Sequence, residues 1–127
     1  MRMYKTIIMC LALISLASCV QEEHLKTVTF KVDMTNIEPV SQVGVKGEFT
    51  NPPWKEILPL TDTNNDGIYE LTVSQTTAVS TVEFKFVHNG VYELSGKNNR
   101  ALHFEYKPET LMYEGVFDNP DAKQTTK

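Results

Sequence analysis

The chain has 127 residues, 41% hydrophobic and 22% charged, the size and composition of one globular domain. Its formal net charge is −4 and it contains no basic run, which excludes a phosphate-neutralising surface and removes nucleic acid from the expected partners. Both cysteines, Cys10 and Cys19, lie near the N-terminus, so the rest of the chain has no thiol for a disulfide, a nucleophile or a metal.

Residues 1–18 read as a secretory signal. Arg2 and Lys5 precede Ile7-Ile8-Met9-Cys10-Leu11-Ala12-Leu13-Ile14, a basic head followed by an apolar run too short to span a bilayer. The end of this segment, Leu16-Ala17-Ser18-Cys19, resembles the bacterial lipobox, which implies cleavage before Cys19 and lipid on that residue. Without Arg2 and Lys5, ten basic side chains face sixteen acidic ones, a net charge of −6. Residues 19–26 are expected to form a tether from the lipid. Within it Glu22-Glu23 resembles the acidic export tag of surface-directed lipoproteins of Bacteroidota, and reads equally as a solvated linker. The expected location is the envelope, on the outer membrane.

The domain is expected over 27–117. Val28, Phe30, Val32 and Met34 alternate with Thr29, Lys31 and Asp33, a strand with one apolar face. A second strand over 43–49 turns Val43, Val45 and Phe49 inward, and Gly44 and Gly47 allow a close approach to its backbone. Thr50-Asn51-Pro52-Pro53-Trp54 then places the sole tryptophan on a stiff loop, where it serves either as a presented ring or as a lid on the core edge. Ile57-Leu58-Pro59-Leu60 is a short strand that Pro59 confines to an edge or a bulge.

Asp62-Thr63-Asn64-Asn65-Asp66-Gly67 matches the first six positions of a calcium loop. Position twelve is Val73 in place of a bidentate Glu, and Ile68 to Val73 alternates as a strand, so a polar Asx turn and a weak calcium site both remain open. Ser74 to Ser80 reads as a polar connection. Val82, Phe84 and Phe86 then alternate with Glu83, Lys85 and Val87, and Asn89-Gly90 is a strong hairpin signal before Val91-Tyr92-Glu93-Leu94. The hairpin places Lys85 and Tyr92 on polar faces, and Lys97, Asn98, Asn99 and Arg100 follow it. Further strands are expected over 101–106, with Leu102, Phe104 and Tyr106 inward, and over 111–117. Residues 118–127 read as a flexible polar tail.

Seven to eight short antiparallel strands without a helix indicate an all-β, immunoglobulin-like β-sandwich. His24, His88 and His103 have no second ligand at metal spacing, no serine lies on a nucleophile elbow, and no apolar cleft frames a carboxylate pair. Neither catalysis nor a cofactor is expected.

The order of these pieces resembles the starch-binding domains of carbohydrate-binding module family 20. The counterparts are Val28-Thr29-Phe30-Lys31-Val32, Val43 to Phe49 with Trp54, Gly67-Ile68-Tyr69, Glu83-Phe84-Lys85-Phe86, Tyr92-Glu93 and Asn99-Arg100, spread over Val28 to about Tyr106. Tyr92 stands where those domains usually have Trp, and the His88-Asn89-Gly90 turn is shorter than the loop many of them carry. The resemblance implies that Trp54 and Tyr92 are stacking platforms for neighbouring glucose rings, with Lys85, Glu93 and Asn99 also in the carbohydrate site. It further implies a non-catalytic module that binds an α-glucan of starch or glycogen type and serves a separate glycoside hydrolase. The competing expectation is an envelope lipoprotein that uses its sandwich for protein contacts.

Overall fold

The computed structural model describes residues 21–127. The expected signal and Cys19 lie outside the described residues. Among the described residues nine strands form two sheets: β1 (His24–Asp33), β2 (Val43–Gly47), β3 (Leu58–Pro59), β4 (Ile68–Thr77), β5 (Thr81–His88), β6 (Val91–Tyr92), β7 (Arg100–His103), β8 (Glu109–Val116) and β9 (Ala122–Thr126). One sheet runs β4-β1-β8-β9. The other runs β3-β2-β5, with β6 and β7 both paired to the far edge of β5.

Alternation dictates which side chains meet between the sheets. Val28, Phe30 and Val32 from β1 face Val43, Val45, Phe84 and Phe86 from the second sheet, and Leu102, Leu111 and Tyr113 close the sides. Phe30 is the hub, stacked on Phe49 at 5.2 Å and meeting Phe84 edge-on at 5.0 Å. The expected β-sandwich is the fold, with nine strands instead of seven or eight and one parallel pair, β1 with β8.

Other expectations are corrected. His24 to Lys26 belong to β1 and not to a tether: Lys26 is buried and its ammonium lies 2.7 Å from Glu109. Residues 122–126 are an edge strand on β8 and not a tail. Ser74 to Thr77 extend β4 instead of forming a connection. Val87 points outward yet is buried, and Ile57 and Val87 both crowd the space beside Gly44. Tyr106 falls beyond the end of β7 and is exposed.

The Asn89-Gly90 turn has the two positive φ angles that its sequence predicts, 51° and 78°. Pro59 lies on the edge strand β3, where its missing N–H costs no ladder bond. The Asp62 carboxylate accepts the amides of Asp66 and Gly67, and Asp66 accepts the Ile68 amide and the Asn64 side-chain amide, so the turn satisfies its oxygens from within itself.

Candidate functional site

The site is built on the outer face of the β2-β5-β6 sheet. Lys46 and Lys85 are directly opposed across β2 and β5, and Tyr92 pairs with Val87. Trp54 reaches this face from the loop after β2. Its φ is 61°, a left-handed conformation unusual for a large side chain. Neighbours hold it there: the Trp54 N–H donates to the Gly47 carbonyl at 3.0 Å and to Thr50 Oγ1 at 3.1 Å. Buried Thr50 in turn donates its hydroxyl to Gly47 O at 2.8 Å. Gly47 is required here, since a Cβ would stand 2.6 Å from the Glu83 carbonyl oxygen.

Tyr92, 40% exposed, donates its hydroxyl to the Trp54 carbonyl at 3.2 Å. The ring centroids of Trp54 and Tyr92 are 6.3 Å apart and their planes meet at 64°. Both rings border a shallow pocket of about 450 Å³, whose other walls are Lys85, Ser95, Gly96 and Asn99. The structure therefore brings together four residues named from sequence: Trp54, Lys85, Tyr92 and Asn99. The pocket wall contains one cation and no carboxylate.

Lys85 is 9% exposed, and its ammonium donates to the carbonyls of Leu94 at 3.0 Å and Lys97 at 3.1 Å. An ammonium has three N–H donors, so one remains for the pocket that Lys85 borders. Sequence reasoning missed Ser95 and Gly96, which follow a change of chain direction at Leu94. It also missed Lys46, whose ammonium lies 5.2 Å from the Tyr92 centroid without joining the pocket wall. Strand alternation held the signal for Lys46, as it sits on the same face as Lys85.

Glu93 does not belong to this surface. It is fully buried, with its carboxylate 2.7 and 2.8 Å from Nε and Nη2 of buried Arg100. It also accepts the Phe86 amide at 2.8 Å, so the side chain continues the ladder where β6 has ended. Burial works against the Arg100 charge, but the hydrogen bonds to Glu93 and Tyr113 hold its pKa above the ordinary value. The Glu93–Arg100 pair is a structural element beneath the site. Among the described residues, no cluster of three or more His, Cys, Asp or Glu is placed to hold a metal ion.

Fold and site together define a β-sandwich with a two-ring aromatic pocket on one sheet face. No family model matches the chain, and no curated protein matches it. Among solved structures it is similar to the solution structure of the CBM25-1 of beta/alpha-amylase from Paenibacillus polymyxa. That comparison has 16% identity and a TM-score of 0.43, and covers 81% of this chain and 93% of the other.

Proposed function

We propose that this chain is a non-catalytic carbohydrate-binding lipoprotein that holds an α-glucan of starch or glycogen type at the cell envelope, anchored through lipid on Cys19. The observation that carries the reading is the pair of partly exposed rings, Trp54 and Tyr92, inclined at 64° beside one pocket with Lys85 and Asn99. Pyranose rings present C–H groups that an aromatic face removes from water, while the ring-edge hydroxyls turn to polar partners. Inclined platforms suit a curved α-glucan, whereas a flat β-glucan favours coplanar rings.

Each platform contributes roughly 1 kcal/mol through apolar area. Two or three hydrogen bonds from Lys85, Asn99 and Ser95 add roughly 0.5–1.5 kcal/mol apiece, and association entropy opposes them. The expected Kd is roughly tens of μM to mM. Such a weak, open site fits retention of a long polymer at the envelope on behalf of a separate glycoside hydrolase.

Trp54 is the only indole, so its fluorescence reports directly on the pocket. Titration with maltoheptaose is expected to give a saturable shift, with little response to cellohexaose. Trp54→Ala is expected to abolish retention in an amylose affinity gel with the fold intact by circular dichroism; retention equal to wild type removes the site. If neither sugar moves the signal and the gels agree, protein contact becomes the better account of this face. Cys19→Ser is expected to move the protein from the membrane to the soluble fraction.

A further inference from the structure

We propose that Asp118, on the turn between β8 and β9, is a positioning residue for this pocket, its carboxylate holding the 93–99 loop in the shape that receives the glycan. The proposal rests on the glycan reading above. The loop supplies Ser95, Gly96 and Asn99, three of the six residues around the pocket. It also carries Leu94, buried and at a φ of 53°. A branched side chain is uncommon in that left-handed region, so the conformation needs partners that enforce it.

Within the loop the Lys97 N–H donates to the Leu94 carbonyl at 2.9 Å, and the remaining partners come from outside it. The Leu94 N–H donates to Asp118 Oδ1 at 2.8 Å, and the Leu94 carbonyl accepts from the Lys85 ammonium. The Asp118 N–H donates to Glu93 Oε1 at 3.2 Å, so the same turn grips the loop at two successive residues. Arg100, at the other end of the loop, donates Nη2 to the carbonyls of Val116 at 2.9 Å and Asn119 at 2.8 Å. The β8–β9 turn is thereby fastened to both ends of the loop, while neither Asp118 nor Asn119 borders the pocket.

Two consequences reach the ligand. The Lys85 ammonium takes its place from the Leu94 and Lys97 carbonyls, so releasing Leu94 displaces a cation in the pocket wall. A loop already ordered also loses less freedom when sugar binds, and that saving disappears when the Asp118 acceptor is removed.

Asp118 itself sits at a φ of 64°, which allows two informative substitutions in the full chain. Asp118→Gly favours this backbone and deletes the acceptor; Asp118→Asn tolerates the backbone and keeps a side-chain oxygen. At a temperature where all variants are folded, Asp118→Gly is expected to raise the Kd for maltoheptaose about tenfold and to speed amide exchange at Leu94. Asp118→Asn is expected to stay near wild type on both. A glycine variant with wild-type Kd overturns the proposal, as does an asparagine variant that loses as much as glycine. If wild type itself shows no maltoheptaose binding, the glycan reading falls and Leu94 exchange decides the positioning role, unchanged exchange in Asp118→Gly overturning it.

Discussion

Glu93 and Arg100 form a charge pair taken almost wholly out of water, with side chains 0% and 1% exposed. Desolvation of two ions is offset only because every strong hydrogen-bonding group in the pair has a partner, from the Phe86 amide to the Val116 and Asn119 carbonyls. Removing one partner strands the other, so Glu93→Ala is expected to lower stability by about 3–5 kcal/mol in urea unfolding. The Glu93→Ala/Arg100→Ala double variant is expected to lose clearly less than the sum of the two singles. Gly115 belongs to the same arrangement, because a Cβ there would stand 2.9 Å from Arg100 Nη1. The inward position of Glu93 was legible in the chain: if Tyr92 faces out, strand alternation turns Glu93 in, and a buried carboxylate needs a cation. The motif order instead drew Glu93 to the surface beside its aromatic neighbour. Asp66 illustrates a smaller electrostatic effect. The Ile68 amide, together with the Asn64 and Asp62 side chains, outweighs slight desolvation and holds its carboxyl below the ordinary 3.8. A depressed folded-state pKa stabilises the turn above the unfolded value and loses that effect as pH falls through the folded one. Acid unfolding is therefore expected to show a contribution below about pH 4 that Asp66→Asn removes.

Among the elements, β9 shows why some strands escape a reading of apolar periodicity. Ala122-Lys123-Gln124-Thr125-Thr126 has no hydrophobic face, since it pairs at the edge of its sheet and covers little core. Its value lies in hydrogen bonds. Gln124 accepts the His103 amide at 3.1 Å and donates to the His103 carbonyl at 2.7 Å, so one side chain extends the β7 ladder and links the two sheets. Gln124→Ala is expected to cost about 1–2 kcal/mol, and deletion of residues 122–127 more, both measured as a lowered urea midpoint. Strands β1, β2 and β5 were legible because they carry the core, and the first half of β4 because Tyr69, Leu71 and Val73 alternate against it. β6 is only two residues long because the chain turns at Leu94, and no single-residue propensity marks that turn. The Trp54 loop is marked in the sequence by its prolines, but its geometry depends on Thr50 and Gly47, whose roles emerge only when β2 and β5 pair.

For the whole molecule, the fold separates two duties: packing between the sheets sustains the sandwich, and one outer face presents the aromatic pocket. A ligand on that face stabilises the folded state by mass action. Maltoheptaose at a hundredfold excess over its Kd is expected to add about 2.7 kcal/mol, seen as a rise in Tm. Calcium is expected to leave the Tm unmoved, because the Asp62 and Asp66 carboxylates already accept backbone amides in their own turn. The position of β1 gives the molecule a mechanical character as well. This first strand is one of the two inner strands of its sheet, with ten residues in register against β4 and eight against β8. A pull on the N-terminal end of β1 runs along the strand, across its hydrogen bonds to β4 and β8. The two ladders then bear the load in shear and must yield together.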